Sequence, residues 1–491
     1  MASQPDILIF LSDQHTAAVN GFAGDPVVRT PNLDALSAAG TTFDAAYTAC
    51  PLCVPARSAF LTGQLPSSTG IFSNRSCIPE YTATMMHSLA NAGYETVLVG
   101  RMHFVGRNQR HGFTKRLVGD FTPTFWRPYA TEDRFDQGLG PYAHTLGAIK
   151  SLKVVGGGDS PVLAYDRAVI DAAVRYLRED HDRPQCIVIG TYAPHFSYVA
   201  PEELYRRYRD EVQPPVTWDR EPNYTNRLID HKRQQFDRQD HDRQRVLAAR
   251  AAYYGMVENL DAQIGQVRQA WQQHLDRTGR EGWMVYTSDH GDMLGERGLQ
   301  GKQVGLEPSA RIPMVIEGDG IAAGRRIAGA TSLLDLSPTL CQRAGAVVPP
   351  QQAGQSLLDI LAGEPADAER AVICEYLHAD PDRPGESVAA RAVRKGRFKA
   401  LIYHAEDVDD ALFDIQADPH ELVNLAGQDP ATLAELREQA YRDWRPEAVV
   451  AEQKRRRAHL PILLQFGHRI GQPEVELWTD YRGQVQLPTV T

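Results

Sequence analysis

The 491-residue sequence contains no apolar run long enough to span a bilayer, so no transmembrane helix is expected. The segment before residue 7 has no basic region, and the apolar run over 7–11 has only the length of a strand. A cleavable signal peptide is therefore not predicted, and a cytoplasmic location is expected.

Basic residues are outnumbered by acidic ones, with 52 Lys and Arg against 62 Asp and Glu, and the cysteines are not regularly spaced. The formal net charge of −10 argues against a nucleic-acid or anionic-membrane partner, and the basic run Lys454-Arg455-Arg456-Arg457 is more typical of a solvated helix face. The cysteines stand scattered at 50, 53, 77, 186, 341 and 374, which does not indicate a disulfide framework. Cys50 and Cys53 have no second pair that would complete a zinc site.

The sequence does contain four short, β-rich apolar runs, at 7–11, 96–99, 186–189 and 283–286. Runs of this kind are typical of strands buried on both faces of a parallel sheet. Each run is followed by polar side chains: Asp13 and Gln14, Arg101 and His103, His195, and Asp289 and His290. Because ligands bind beyond the carboxyl ends of such strands, the four clusters predict one shared site.

The remaining patterns complete an α/β fold. Helices are predicted over 31–39 and 84–92, each followed by glycine, and a long amphipathic helix over about 244–277. The prediction is a large mixed, mainly parallel sheet sandwiched by helices, followed by a smaller C-terminal antiparallel sheet plus helix. The expected units are a catalytic domain over 1–370, the antiparallel-sheet subdomain over 371–440, and a C-terminal tail over 441–491 that could serve oligomerisation.

The segment around Cys53 suits the start of a helix. Pro55 fits the first turn, and Gly63 fits the position just past the end. Cys53 would then lie at a helix amino terminus, which favours anions, with the charge of Arg57 one turn further on. The alternative is a buried, inert cysteine in front of an ordinary helix.

The eleven residues 53–63, CVPARSAFLTG, resemble the signature of the type I sulfatase family of the alkaline phosphatase superfamily. The resemblance implies that Cys53 is oxidised to formylglycine by a formylglycine-generating enzyme, and that the hydrated aldehyde supplies the nucleophile. It also implies a bacterial source, because the eukaryotic members are secretory.

Asp13, Gln14, Asp289 and His290 offer two carboxylates, an amide oxygen and an imidazole, and with Cys53 they form a plausible divalent-metal site. This donor set suits Ca²⁺ or Mn²⁺ better than tetrahedral zinc. Taken singly, Asp13 could be only a strand-end cap and Asp289 a turn former.

By resemblance, His103 is the base that regenerates the aldehyde, and His195 and Lys302 bind the substrate and help to protonate the leaving oxygen. A lone histidine after a strand is more often structural. Here His103, His195 and His290 each follow a predicted strand, and three histidines in equivalent positions favour catalysis. The family usually has Gly-Lys-x-His where this chain has Gly100-Arg101-Met102-His103. Arg101 is expected to keep the charge for sulfate binding, although its planar fork differs from lysine.

The likeness is greatest to the choline sulfatase and phosphonate monoester hydrolase branch. It includes Asn74, which aligns with an asparagine that touches the transferring group. Trp126 with Glu375 and Tyr376 could form a wall facing a quaternary ammonium, or could be core aromatics and a strand-end charge. Residues 203–245 could form a lid, or only a solvent-exposed segment that leaves the main fold. The matching pieces are Met102-His103-Phe104-Val105-Gly106, His111-Gly112-Phe113, Arg116-Leu117, Asp120 and residues 288–299.

The favoured function is therefore hydrolysis of small organic sulfate esters, aryl or alkyl, by a homo-oligomer (dimer or tetramer) with no nucleic-acid or membrane partner. A phosphonate monoester or phosphodiester hydrolase with the same aldehyde and metal is the first alternative. An inert anion-binding protein whose Cys53 is never oxidised is the second.

Overall fold

The computed structural model describes residues 4–106, 108–120, 148–237 and 242–470. Its strands are β1 (Asp6–Asp13), β2 (Thr41–Phe43), β3 (Ala46–Tyr47), β4 (Glu95–Gly100), β5 (Lys115–Val118), β6 (Val155–Gly157), β7 (Gln185–Pro194), β8 (Tyr198–Ala200), β9 (Gly282–Ser288), β10 (Met314–Gly318), β11 (Arg325–Ile327), β12 (Thr331–Ser332), β13 (Ala371–Ala379), β14 (Ser387–Lys395), β15 (Phe398–Tyr403) and β16 (Ala411–Asp414).

Its α-helices are α1 (Pro31–Ala39), α2 (Cys53–Thr62), α3 (Pro66–Thr69), α4 (Met85–Asn91), α5 (Pro161–Leu177), α6 (Glu202–Glu211), α7 (Arg227–Asp237), α8 (Arg243–Thr278), α9 (Glu307–Ala310), α10 (Leu336–Arg343), α11 (Leu358–Leu361), α12 (Pro430–Tyr441) and α13 (Pro446–Ile470). Short 3-10 helices lie at Gly21–Ala23, Ala148–Lys153, Val216–Trp218, Glu296–Gly298 and Leu333–Asp335.

The main sheet has eight strands in the order β11-β2-β10-β9-β1-β7-β4-β5. The four predicted strands are β1, β4, β7 and β9, and they lie side by side and parallel in its centre. The antiparallel strand β10 makes the sheet mixed. The predicted fold class is confirmed, because a single mainly parallel sheet carries all four runs.

Helices cover both faces of this sheet because successive strand residues point to opposite sides. Ile7, Ile9 and Leu11 of β1 pack in one buried cluster with α2, α4 and α10. Leu8 and Phe10 pack in the opposite cluster with α1, α5 and α8. The helices predicted at 31–39, 84–92 and 244–277 therefore lie within a residue or two of α1, α4 and α8.

The C-terminal sheet has four antiparallel strands in the order β13-β14-β15-β16, with α12 packed on β14 and β15. Strand β13, which begins at Ala371, was not distinguished from the sequence. Helix α13 occupies most of the described part of the predicted C-terminal tail, and the rest of the tail lies outside the described residues.

The segment 203–245 is integrated into the fold in its described part. Leu228 and Ile229 of α7 are buried against the C-terminal sheet, and Tyr208 of α6 is buried against α8. These contacts exclude the interpretation of its described part as a purely solvated excursion.

Gly190 on β7 permits the close approach of β4 beneath the candidate site. Arg101 donates its backbone N–H to the carbonyl of Gly190 at 2.8 Å. A Cβ at position 190 would lie 1.8 Å from the carbonyl oxygen of Arg101, so the strands would have to separate.

We expect Gly190→Ala to lower the free energy of unfolding by about 3 kcal/mol or more, because two backbones cannot move apart without breaking sheet hydrogen bonds. Gly427→Ala is the matched control, since its Cβ would meet nothing within 4 Å. Denaturant unfolding of both variants measures the difference. Equal stabilities would contradict the packing described here.

Candidate active site

The side chains predicted at the strand ends lie together in the structure. Asp13 ends β1, Asp289 and His290 follow β9, and Cys53 is the first residue of α2. One ligand atom from each of these four buried residues lies within 4.8 Å of all the others. The carboxyl ends of parallel strands and a helix amino terminus therefore meet at one point, as expected for an α/β site.

Helix α2 begins at Cys53, and Pro55 and Gly63 lie at its two ends as predicted. Leu52 is extended, Pro55 occupies the first turn, and Gly63 ends the helix with φ 67°. Asn74 reaches the helix from outside, and its Oδ1 accepts a hydrogen bond from Val54 N at 3.0 Å. Asn74 therefore satisfies one free N–H of the helix start next to Cys53.

Arg57 donates hydrogen bonds to both carboxylates of the predicted metal site, Asp13 and Asp289. Its Nε donates to Asp289 Oδ2 at 2.8 Å, and its Nη2 donates to Asp13 Oδ2 at 3.2 Å. All three side chains are almost fully buried. Burial would raise the pKa of Asp13, but the adjacent Arg101 and Arg57 hold it well below its usual range. Asp13 is therefore ionised and able to hold a cation.

Arg101 is surrounded by protein groups. Its Nε lies 2.6 Å from Asp13 Oδ2, its Nη1 lies 3.2 Å from Asp120 Oδ1, and its guanidinium stacks over the ring of Tyr192 at 4.2 Å. The guanidinium donates to the two carboxylates from separate nitrogens, which the single ammonium nitrogen of a lysine cannot do, and this fits the arginine at this position. The geometry favours a positioning role for Arg101, and its direct contact with sulfate stays a prediction.

The amide of Gln14 is held in one orientation. Its Nε2 donates to Asp292 Oδ2 at 2.5 Å, and Tyr198 Oη donates to the same carboxylate oxygen at 2.6 Å. The Gln14 Oε1 consequently faces the site, where Lys302 Nζ donates to it at 2.7 Å. Asp292 thus ensures that Gln14 presents an oxygen and not an NH₂ group.

His290 presents a lone pair. Its Nδ1 bonds to the carbonyl oxygen of Gly291 at 3.0 Å and must therefore be the donor, which leaves Nε2 as an acceptor 3.3 Å from Cys53 Sγ. Burial lowers the pKa of His290 to about 4, so the ring is neutral. Two carboxylates, a fixed amide oxygen and a neutral imidazole nitrogen fit a divalent cation.

Cys53 is in contact with Lys302. The ammonium Nζ lies 3.0 Å from Cys53 Sγ and 3.9 Å from Asp13 Oδ1. Burial, and then Asp13, raise the pKa of the thiol to about 11. The encoded cysteine is therefore a protonated thiol at neutral pH, which is a poor nucleophile.

His103 is held in one tautomer by Arg101. Because Arg101 Nη2 can only donate, His103 Nδ1 accepts this hydrogen bond at 2.7 Å, and the neutral ring carries its proton on Nε2. Burial and Arg101 hold the pKa of His103 well below its usual range. Its buried Nε2 has no partner among the described residues. The base role predicted for His103 requires the other neutral tautomer, in which Nδ1 carries the proton and Nε2 has a lone pair.

His195 has the opposite arrangement. Its Nδ1 donates to the carbonyl oxygen of Phe196 at 2.6 Å, so Nε2 carries a lone pair when the ring is neutral. Burial, and then the charge of Lys302, hold the pKa of His195 well below its usual range. A bound anion would oppose this effect and favour the protonated ring.

Two supporting carboxylates were not assigned a role from the sequence. Asp120 accepts hydrogen bonds from Arg101 and from the backbone N–H of His103, and Asp292 orients Gln14. Asp120 follows β5 and Asp292 follows β9, so the strand-end rule that located the other residues could also have found these two.

Glu375 does not supply a carboxylate to the wall that could have faced a quaternary ammonium. Glu375 is fully buried, accepts from Arg391 Nε at 2.9 Å and from the N–H and hydroxyl of Ser67, and therefore does not face a ligand. Tyr376 is buried in the cluster between α7 and the C-terminal sheet. Trp126 lies outside the described residues.

In the part of the chain that the structure describes, no helix combines the length and apolar character needed to cross a bilayer.

Comparison with known proteins gives consistent matches. Residues 5–346 match the family described as Sulfatase, and residues 295–442 match the family described as N-sulphoglucosamine sulphohydrolase, C-terminal. A choline-sulfatase of Rhizobium meliloti (strain 1021) is 34% identical over 478 residues, covering 91% of this chain and 88% of the relative.

Two further proteins are similar to this chain, one in sequence and one in fold. The multifunctional alkaline phosphatase superfamily protein PehA of Trinickia caryophylli is 27% identical over 508 residues, covering 90% of this chain and 95% of the relative. The crystal structure of the phosphonate monoester hydrolase of Agrobacterium radiobacter superposes with a TM-score of 0.69 at 23% identity, covering 89% of this chain and 96% of that one. The second likeness shows a shared fold.

We expect Asp292→Asn to weaken divalent-cation binding by about 10–100-fold, because the Gln14 amide would no longer be held with its oxygen towards the site. Calorimetric titration with Mn²⁺ and Ca²⁺ measures the affinity independently of turnover. Asp276→Asn, on the exposed face of α8, removes the same charge as a control. Unchanged affinity in Asp292→Asn would contradict this role of Asp292.

Proposed function

Because the chain belongs to the sulfatase family, we propose that it hydrolyses aryl or small alkyl sulfate esters, using a formylglycine made from Cys53 and one divalent metal ion. The observation that supports this most is the convergence of Asp13, Cys53, Asp289 and His290 within 4.8 Å, with Lys302 Nζ at 3.0 Å from the Cys53 sulfur. This arrangement combines an ion site, a helix amino terminus and a fixed ammonium around one reactive position.

Asp13, Gln14, Asp289 and His290 would hold the metal, which we propose to be Ca²⁺ or Mn²⁺. When bound, the ion would neutralise charge on the transferring group and lower the pKa of a coordinated hydroxyl. The imidazole of His290 makes Mn²⁺ credible beside Ca²⁺, which prefers oxygen ligands alone.

Formylglycine at position 53 would supply, as its hydrate, the nucleophilic hydroxyl that the protonated thiol lacks. Its formation requires the formylglycine-generating enzyme as a maturation partner. Residue 53 lies at the start of α2, where free N–H groups and the dipole stabilise a developing negative charge.

Lys302, His195 and Asn74 would bind the ester. Lys302 Nζ is a cation beside the reactive position, and Asn74 is fixed there through Val54 N. Arg57 donates hydrogen bonds to both carboxylates, so we assign it a supporting charge and no direct contact with the substrate.

The leaving oxygen needs a proton as the ester bond breaks. Lys302 carries an ammonium proton already, whereas His195 presents a lone pair until a bound anion raises its pKa. We therefore assign the proton to Lys302 and to a His195 that becomes protonated with the substrate bound. His103, with its proton on Nε2, would donate a hydrogen bond there, and it would act as a base at Nε2 only in the other neutral tautomer, with the proton on Nδ1 and the hydrogen bond from Arg101 broken.

The same centre would accept a phosphonate monoester or phosphodiester, since these monoanions share the shape and charge of a sulfate ester. The relationship to a multifunctional alkaline phosphatase superfamily protein supports this second activity. An inert anion-binding protein is disfavoured, because every position of the centre carries a competent side chain.

We further propose a cytoplasmic location in a bacterium and a homo-oligomer, a dimer or tetramer, that uses the C-terminal segment. Ile462 and Phe466 of α13 have 68% and 58% of their surface exposed, which supports a contact with another subunit. The division into units at about 370 and 440 remains a proposal.

We expect metal-replete protein with modified Cys53 to hydrolyse 4-nitrophenyl sulfate, and Cys53→Ala to reduce kcat by at least about 10⁴-fold, because no other residue can replace the nucleophile. Intact mass measures the modification, since conversion of CH₂–SH to CHO lowers the mass. Rates on matched aryl sulfate and phosphonate esters separate the two activities. Turnover by Cys53→Ala, or by protein with the unmodified thiol, would refute the mechanism.

We expect His195→Asn to lower kcat by about 100-fold for an alkyl sulfate but by less than about 10-fold for 4-nitrophenyl sulfate, because a good leaving group needs little protonation. Steady-state rates on both esters give this ratio. His459→Asn, at an exposed position of α13, is the control. An equal loss on both esters would show that His195 does not assist the leaving group.

A further inference from the structure

The peptide group between Lys302 and Gln303 is held on both sides. Its N–H, which belongs to Gln303, donates to the carbonyl oxygen of Pro51 at 3.0 Å. Its carbonyl oxygen, which belongs to Lys302, accepts a hydrogen bond from the ammonium of Lys232 on α7. Pro51 lies two residues before Cys53, whose sulfur is 3.0 Å from the Lys302 ammonium. The orientation of this one peptide group therefore sets the point from which the Lys302 side chain extends.

Gln303 has an unfavourable backbone conformation. Its φ angle is 71°, in the left-handed region that residues other than glycine seldom occupy. A flip of the peptide group before it would return φ to negative values, but the flip would break the hydrogen bonds to Pro51 and Lys232. These two partners therefore hold Gln303 in its strained conformation.

The position of Lys232 is itself fixed by contacts at both ends of its neighbourhood on α7. Arg227 Nη1, at the start of the helix, forms an ion pair with Asp380 Oδ1 at 2.8 Å, next to the C-terminal sheet. Arg233, the residue after Lys232, donates from Nε to the carbonyl oxygen of Arg297 at 2.8 Å. Two adjacent residues of α7 thus donate to two carbonyl groups of the segment 289–303, so the helix is anchored where it meets the site.

The chain before Lys302 is anchored independently of α7. Gly301 N donates to Asp292 Oδ1 at 2.9 Å. Without Lys232, the segment would keep this anchor at Gly301 but could turn at the next peptide group. The ammonium of Lys302 has close partners, Gln14 Oε1 at 2.7 Å and the Cys53 sulfur, so such a turn would displace it from both.

We propose that Lys232 is a positioning residue for Lys302. It holds the peptide group between Lys302 and Gln303 in the orientation that directs the Lys302 ammonium towards residue 53, and it acts without touching the substrate. This inference rests on the proposed function, in which Lys302 protonates the leaving oxygen. Without Lys232, the peptide group would flip, Gln303 would relax to a negative φ, and the ammonium would leave the reactive position.

The first test compares Lys232→Met with wild-type protein on an alkyl sulfate and on 4-nitrophenyl sulfate. Methionine keeps an unbranched apolar side chain but cannot donate a hydrogen bond. We expect kcat to fall by about 10–100-fold for the alkyl ester and by less than about 5-fold for the nitrophenyl ester, because only the poor leaving group needs a well-placed proton donor. An equal loss on the two esters would overturn the proposal.

Gln303→Gly distinguishes this role from a general loosening of the fold. Glycine adopts a positive φ without strain, so the tendency of the peptide group to flip is removed. We expect Lys232→Met combined with Gln303→Gly to regain about 3–10-fold of the kcat that Lys232→Met loses on the alkyl ester. A loosened fold would gain nothing from an added glycine, so a double variant no faster than Lys232→Met would refute the positioning role.

Two variants and one binding measurement serve as controls. Lys232→Arg keeps a donor at the end of the side chain and should retain most of the wild-type kcat on both esters. Lys153→Met makes the same change at an exposed position and should leave both rates unchanged. Calorimetric affinity for Mn²⁺ should not weaken in Lys232→Met. A weaker affinity would show that the whole site is disturbed, which would contradict a specific effect on Lys302.

A crystal structure of Lys232→Met separates this inference from the proposed function, because it requires no turnover. We expect a negative φ at Gln303 and no contact between Lys302 Nζ and residue 53. If the wild-type protein hydrolyses no sulfate ester, the proposed function fails, and the φ angle of Gln303 still decides the role of Lys232. If it does hydrolyse them and Lys232→Met keeps either the positive φ or the wild-type kcat, only the positioning role fails.

Discussion

The site depends on a buried ion network in which Arg57 and Arg101 hold Asp13, Asp289 and Asp120. Charges in such a dry environment are tolerated only when each is paired, and removal of one partner typically costs about 3–5 kcal/mol. The network ties the ends of β1, β4 and β9 to helix α2. It therefore fixes where Cys53 lies and pairs the metal-site carboxylates with positive charge at the same time.

Outside this network, each neutral polar group is oriented by a partner that dictates its chemistry. Asp292 turns the oxygen of Gln14 towards the site, the carbonyl of Gly291 leaves a lone pair on His290, and Arg101 leaves a proton on His103. The three side chains could each present a donor or an acceptor. The supporting contacts choose between the two, so a residue that never touches substrate can determine the reaction.

The fold and the residues of the candidate site could be predicted from the sequence to different extents. The four apolar runs became four adjacent parallel strands, since continuous hydrophobic runs are stable only where both faces are covered. Asp13, Asp289 and His290 could be grouped because parallel strands deliver their ends to one edge. For Glu375 the sequence left a substrate wall and a strand-end charge open, because its partner Arg391 lies sixteen positions away on β14 and only the pairing of the two strands decides that contact.

The sequence by itself determined the fold class, the position of Cys53 at a helix start and the set of metal-competent donors, because these follow from local periodicity, cap residues and strand ends. Only the tertiary structure decided the tautomers of His103, His195 and His290, the burial of Glu375 and the approach of Lys232 to the carbonyl of Lys302. Those properties depend on which groups meet across tens or hundreds of positions. Hydrogen bonds and desolvation act over a few ångströms in space, and that proximity is set by packing.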